Sequence, residues 1–337
     1  MKKIIVISND KIFLNKNNLS TKYNDTINIL SALQKCFDIY LISNINKIKN
    51  NFSLNTKKKI KRFNFKYFFR WKQKKIKLLM ISATPRNLFF FILIKSFFKN
   101  LDGYLYLRSD GYQEYESKIG KIGYLIYGLM LKYLEQNLKI ISVSKYIKCS
   151  TKKHLITPSE LDNLWFKNIR KADLNVPKLL YLGRYRKEKG IYSLVNLFEK
   201  INLNYKLTLA GDNKSISKHS SKIRVINEVT SYKKLLNLYD KHNIFILPSF
   251  TEGAPKVILE SLARKRPVII FKEIQHVKLN YKGIFVCERK ISNLKKCINY
   301  IMKNYKKIQS EMTQNKLQNR NNFQNQLLRI LNDKNTD

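Results

Sequence analysis

Residues 244–270 read IFILPSFTEGAPKVILESLARKRPVII, and this stretch decides the fold. Ile244 to Leu247 is short, apolar and without polar alternation, as expected of a parallel strand buried on both faces. Pro248 ends it. The polar loop Ser249 to Gly253 follows. Pro255 then stands where a helix begins, with its φ already fixed and no N–H to lose. Lys256 to Arg264 has helical spacing, and Pro267 to Phe271 is the next buried strand. Two carboxylates, Glu252 and Glu260, are separated by seven residues. One lies in the loop and the other about a turn into the helix, so both can face one cleft. A carboxylate accepts hydrogen bonds from hydroxyl pairs, and the amides near Gly253, Ala254 and Lys256 suit an anion at the positive helix end.

The same alternation extends in both directions. Upstream, Leu179–Leu182, Lys206–Ala210 and Arg224–Ile226 read as strands, with helices at Lys189–Lys200 and Tyr232–Tyr239. Downstream come a strand at Ile284–Cys287 and a helix at Asn293–Met302. The first half repeats the pattern: strands at Lys3–Ser8, Phe37–Ser43, Leu78–Ser82, Tyr104–Arg108 and Lys139–Ser144. Its helices are Tyr23–Lys35, Pro85–Lys99 and Lys118–Gln136. The fold class is therefore α/β with parallel sheets covered on both faces. The expected organisation is an N-terminal domain over 1–168, a C-terminal domain over 169–310 and a polar helix or tail over 311–337. Trp165–Lys178 reads as a basic connection between the domains. In the tail, Leu327, Leu328 and Leu331 form a small apolar stripe.

Two further turns sit where such sheets bind ligands, at the carboxyl ends of strands. Leu179 to Gly190 (LLYLGRYRKEKG) passes from a strand through Gly183 and Arg184 to a helix near Lys189. Arg184 is suited to forking onto phosphate oxygens, and Lys189 adds a point charge. Leu207 to Asp212 (LTLAGD) ends a strand at Gly211, where a ligand could approach the backbone closely.

Together these residues resemble glycosyltransferase family 4, the retaining enzymes of GT-B fold. The resemblance is specific over about 179–287. In the first half it rests on strand–helix order and on Ile140–Ser144 (IISVS). It implies two Rossmann-like domains facing a central cleft, and an enzyme that moves a sugar from a nucleotide-sugar donor, UDP- or GDP-linked. The implied acceptor is a polysaccharide, a lipopolysaccharide-type glycan or a lipid-linked glycan. By resemblance, Arg184 and Lys189 hold the donor diphosphate, Glu260 takes the ribose hydroxyls and Glu252 positions the transferred sugar. Gly183, Gly211, Gly253, Ala254, Pro255, Lys256 and Val257 complete the donor site. No cofactor or metal is implied, and the chain has no Asp-x-Asp motif. The chain departs from the family in three places. It has no glycine between Asn9 and Ser20, and none of His154, His219, His242 and His276 falls where an acceptor-side histidine is common. Lys265 replaces the glycine usual after the Glu-x7-Glu helix. Arg108 and Asp110, at a strand end in the first domain, are candidate acceptor contacts.

The 337 residues carry 66 Lys+Arg against 23 Asp+Glu, a formal charge of +43. That surplus fits an anionic partner. It is mostly lysine in a chain rich in Asn and Ile, which an AT-rich coding background also produces. Residues 57–77 (KKKIKRFNFKYFFRWKQKKIK) interleave basic and aromatic side chains without an acid, as an anionic membrane surface favours. Here Lys57, Lys58, Lys59, Arg62, Lys74 and Lys75 are the expected lipid contacts, and Phe68, Phe69 and Trp71 the rings expected to insert or pack at the interface. Single-stranded nucleic acid is the competing reading of such a stretch. A nucleic-acid-binding protein would explain the charge but leave Glu-x7-Glu unexplained, so no specific nucleic acid is expected. A catalytically degenerate GT-B partner subunit is the other alternative. Cys36, Cys149, Cys287 and Cys297 form no CxxC pair, which fits a reducing compartment. The apolar runs Ile4–Ile7 and Leu88–Ile94 are too short for a signal or a span. The expected location is cytoplasmic, peripheral on the membrane face.

Overall fold

A computed structural model describes residues 2–15, 17–47, 52–64, 66–71, 75–98, 100–202, 204–211, 221–229 and 231–332. The chain forms two compact units. One runs to Glu160 and takes back the helix from Arg320; the other is Leu161–Asn319.

Among the described residues the first unit is built on nine strands: β1 (Lys2–Leu14), β2 (Asn18–Thr21), β3 (Phe37–Ile45), β4 (Phe52–Asn55), β5 (Ile60–Arg62), β6 (Ile76–Ile81), β7 (Leu101–Leu107), β8 (Lys139–Ser142) and β9 (Lys153–Leu155). The parallel core runs β3-β1-β6-β7-β8-β9, while β2 pairs antiparallel with the far end of β1 and with β4. The strands absent from the sequence reading, β2, β4, β5 and β9, are three or four residues long and polar, too short to show a period. Along β1, Ile4 and Val6 enter one core while Ile5 and Ile7 enter the other. That alternation is how a continuous apolar run covers both faces of a sheet.

Helices α1 (Asn24–Leu33), α2 (Lys66–Trp71), α3 (Pro85–Phe97) and α4 (Gly111–Glu135) flank this sheet. Thr84 caps α3 by accepting from Asn87 N at 3.3 Å, and Pro85 opens it. The expected helix over 118–136 starts earlier and breaks at Ile119-Gly120, where Gly120 has φ 67°. There 111–118 folds back along the next turns, and the Tyr112 ring lies 4.6 Å from Tyr124 and 5.0 Å from Tyr127. No described helix is long and apolar enough to cross a membrane.

Among its described residues the second unit has a six-stranded parallel sheet ordered β12-β11-β10-β13-β14-β15. These are β10 (Lys178–Leu182), β11 (Lys206–Gly211), β12 (Ile223–Asn227), β13 (Ile244–Leu247), β14 (Val268–Phe271) and β15 (Ile284–Cys287). Its helices are α5 (Ile191–Glu199), α6 (Tyr232–Asp240), α7 (Lys256–Ala263), α8 (Ile291–Lys303) and α9 (Tyr305–Met312). The helix α10 (Arg320–Asn332) returns to the first unit. Phe323, Leu327 and Leu331 are buried in its core beside Leu30 and Leu33 of α1, each stabilising that return by about 1.5–3 kcal/mol. Lys35 Nζ also donates to Gln324 Oε1 at 2.7 Å.

The segment after Asp162 is fastened to the second unit by two buried arginines. Arg264 pairs with Asp240 at 2.5 Å and donates to the carbonyls of Trp165, Lys167 and Asn168 at 2.8–3.1 Å. Arg266 donates to the Arg170 and His242 carbonyls at 2.7 Å. These guanidiniums reach five or more acceptors that a lysine could not. The basic run Arg264-Lys265-Arg266 is therefore largely a structural clamp, and 165–170 belongs to the second unit.

Candidate functional site

The site is assembled where β10 and β13 end. Gly183 N donates to Ala210 O at 3.0 Å, closing the carboxyl ends of β10 and β11. A Cβ on Gly211 would lie 1.9 Å from the Gly183 carbonyl oxygen, so this glycine serves the approach of two strand ends. The Tyr181 hydroxyl donates to Arg184 O at 2.9 Å and fixes the turn that exposes the Arg184 side chain. Beyond it, Gly190 is left-handed at φ 65°, and a Cβ there would meet Pro248 O at 1.9 Å. Phe250 N donates to Glu188 O at 2.9 Å. Arg289 donates to Pro248 O at 2.9 Å, pairs with Glu273 at 2.7 Å and lies 4.2 Å over both the Phe250 and Phe271 rings. The two loops are thus pinned backbone to backbone.

That closure brings Lys189 to Glu252. Their Nζ and Oε1 are 2.7 Å apart across 63 positions of sequence, and both side chains are largely buried. Ser249 Oγ donates to the same oxygen at 2.7 Å, and His276 Nε2 lies 2.8 Å from the Glu252 carbonyl oxygen. Glu252 is therefore oriented from three sides.

Glu260 sits one helical layer deeper. Pro255 is the cap of α7 and Lys256 its first residue. Glu260 is 8% exposed and accepts from the Tyr239 hydroxyl at 2.8 Å. Burial raises its pKa, opposed by the Tyr239 hydrogen bond and the Lys256 charge. Burial also pushes the Lys256 ammonium down to about 7, opposed by Glu260. Tyr239, fully buried beside this carboxylate, stays protonated well above the ordinary tyrosine range. Gly253, Ala254 and Val257 are half-buried in the same loop and first turn. The second unit thus gathers Arg184, Lys189, Glu252, Lys256 and Glu260 at one sheet edge. A basic notch of about 590 Å³ lined by Lys178, Lys206 and Arg224 lies at the opposite ends of the strands and is a separate feature.

Arg108 and Asp110 belong to the first unit. Asp110 caps a helix: its carboxylate accepts from Tyr112 N at 3.0 Å, opening α4. Arg108 forms part of a half-buried cluster, 3.4 Å from Asp10 and 3.1 Å from Ser82 Oγ. Thr26 donates to the same Asp10 carboxylate, and Arg86 donates to Ser8 O at 3.0 Å. Asp10 was missed because a single acid after a strand carries no pattern. Trp71 is corrected. It is 1% exposed, stacks on Tyr67 at 4.6 Å and receives Lys3 Nζ at 4.4 Å from its ring, so it is core. Lys74 and the side chains of Phe68 and Phe69 lie outside what the structure describes. Ser249, Tyr239, His276 and Arg289 also escaped the sequence reading. Ser249, three residues from Glu252, was the one with a local signal. Lys265 is left-handed at φ 55°, the conformation expected where glycine is usual.

Residues 166–319 match the sequence family described as Glycosyl transferases group 1. The match spans nearly all of the second unit. A putative teichuronic acid biosynthesis glycosyltransferase of Bacillus subtilis is 31% identical over 113 residues. That stretch covers 31% of this chain and 29% of the relative, so most of the relative's length is unmatched. Among solved structures, a sucrose-phosphate synthase from Thermosynechococcus elongatus aligns over 98% of both chains with TM-score 0.73 and 14% identity. The Anabaena protein HepE, in complex with UDP-glucose, aligns over 98% of this chain and 99% of its own, with TM-score 0.67 and 11% identity. WaaG, a glycosyltransferase involved in lipopolysaccharide biosynthesis, gives TM-score 0.64 and 10% identity over the same shares. The fold of this chain is therefore GT-B, two α/β units with parallel sheets, as the sequence led us to expect.

Proposed function

We propose that the protein is a retaining glycosyltransferase that moves a sugar from a UDP- or GDP-linked donor to a polysaccharide, lipopolysaccharide-type or lipid-linked acceptor. The observation that carries this is the meeting of Lys189 with Glu252 beside Arg184 and the start of α7. It puts cations and helix amides next to a carboxylate that can accept from sugar hydroxyls. A donor diphosphate takes Lys189 and Arg184 as counterions, which frees Glu252 to accept from the transferred sugar. Glu260, held by Tyr239, accepts from the ribose hydroxyls. Charge developing on the leaving diphosphate is met by fixed cations and the helix end, so the reading needs no metal ion. Retention follows same-face attack, with the leaving phosphate assisting loss of the acceptor proton and Glu252 acting as a positioning residue. The location proposed is the cytoplasmic face of a membrane, where a lipid-linked acceptor is presented.

The group 1 domain and the UDP-glucose complex of the HepE neighbour support the donor class. The test is a thermal-shift screen of nucleotide sugars followed by turnover with and without EDTA. A donor at 100 times its dissociation constant stabilises by about 2.7 kcal/mol. Lys189→Ala and Arg184→Ala lose about 3–4 kcal/mol of transition-state stabilisation each. Wild-type turnover in both variants, with folding intact, overturns the assignment.

A further inference from the structure

The first unit carries an apolar helix face that its own core does not use. On the part of α4 beyond the Gly120 kink, Ile122, Leu125, Ile126 and Leu129 are 69%, 63%, 42% and 64% exposed. Their spacing of three, four and seven residues places them on one stripe. Ile119, at the kink, is 54% exposed and extends it. The opposite side, through Tyr127, Met130, Leu131 and Leu134, is buried in the unit's core, so the helix is docked and cannot rotate the stripe inward.

Cations flank the stripe. Lys118, Lys121 and Lys132 are exposed, and residues 118–132 contain no acid. Glu114 and Glu116 precede the kink. Lys148 Nζ lies 5.6 Å from the Tyr124 ring, and the exposed Tyr146 pairs with Lys145 at 5.2 Å. Leucine and isoleucine in a stripe, tyrosine at its margin and lysine around it make an interfacial helix, one that lies in the plane of a bilayer. A second copy is the wrong occupant: it would bring these lysines face to face on two chains of +43 each.

We propose that the Ile119–Leu129 face of α4 docks on an anionic phospholipid bilayer, and that this face, not the Trp71 segment, is the apolar anchor. The lysines meet lipid phosphates while the stripe enters the boundary between headgroups and acyl chains. This names the surface behind the peripheral location proposed above; it does not depend on the transfer reaction.

The experiment is co-sedimentation of the full chain with vesicles of phosphatidylglycerol and phosphatidylcholine, against vesicles of phosphatidylcholine alone. Wild type sediments with the anionic vesicles. Leu125→Glu/Leu129→Glu, both at exposed positions, loses about 100-fold in partitioning with its melting temperature unchanged. Lys118→Gln/Lys121→Gln/Lys132→Gln loses about fivefold per lysine and most of the salt dependence. Ile45→Ser, an exposed apolar residue elsewhere in this unit, sediments as wild type. Equal sedimentation of wild type and the double-Glu variant overturns the proposal. So does a wild-type dimer in analytical ultracentrifugation that the double-Glu variant dissolves without any vesicle binding. Turnover on a short soluble acceptor, read in parallel, separates the two readings. Vesicle binding without turnover leaves the surface standing and removes the transferase, and turnover without binding does the reverse.

Discussion

Replacing Tyr239 by Phe removes one oxygen from beneath the site and leaves the ring that packs 5.7 Å from Trp165 and from Phe245. The oxygen removed donates to Glu260 Oε2 at 2.8 Å. With Glu260 ionised, a hydrogen bond to a charged group contributes about 1.5–3 kcal/mol; with it protonated, about 0.5–1.5. The stability lost in Tyr239→Phe is therefore larger at pH 8 than at pH 4. The direction follows from linkage. Glu260 has its pKa raised by burial, so the native chain binds more protons than the unfolded one between the two values. Its contribution to stability falls as pH rises through that window. Tyr239 restrains this shift, so without it the fall steepens and extends to higher pH. A carboxyl protonated over a wider range is also a poorer acceptor for donor hydroxyls, so the acid limb of donor affinity moves to higher pH. Urea denaturation of both proteins from pH 4 to 8, with calorimetric titration of the donor, reads both effects. A destabilisation that is constant with pH, together with an unmoved acid limb, would refute the coupling between Tyr239 and Glu260.

Two other expectations concern neighbouring positions. Lys256 titrates at about 7 in the ligand-free protein, and an anionic donor raises that value. Donor binding therefore takes up a proton and weakens as pH climbs above 7; calorimetry in buffers of different ionisation enthalpy shows the uptake, and Lys256→Met abolishes it. Lys265→Gly relieves a left-handed non-glycine residue and stabilises by about 1 kcal/mol, read as a raised denaturation midpoint with an unchanged slope.

Some of this molecule was legible residue by residue. The longer parallel strands were, because each buries an apolar run, whereas the three-residue parallel strands β5 and β9 carry none. The pair Glu252 and Glu260 was, because a prolyl helix start after a buried strand fixes their spacing locally. The fate of individual charges and rings was not. Residues 57–77 read as one basic aromatic surface, yet Trp71 is enclosed by Tyr40, Tyr67 and Phe63. Arg264 and Arg266 read as surface charge, yet they are 2% and 1% exposed because carbonyls of 165–170 and Asp240 are there to receive them.

The sequence by itself determined the order of the longer strands and helices, the restart of that order in a second unit and the loops at which a donor could bind. Those properties depend on neighbours within a few residues, where period and turn chemistry act. Only the tertiary structure decided that Lys189 reaches Glu252, that Asp10 lies under Arg108, that α10 crosses back to the first unit and that one face of α4 stays uncovered. Each is a question of which distant group fills the space beside a side chain. The free energy of a buried charge or an exposed leucine is set by that neighbour, not by its position in the chain.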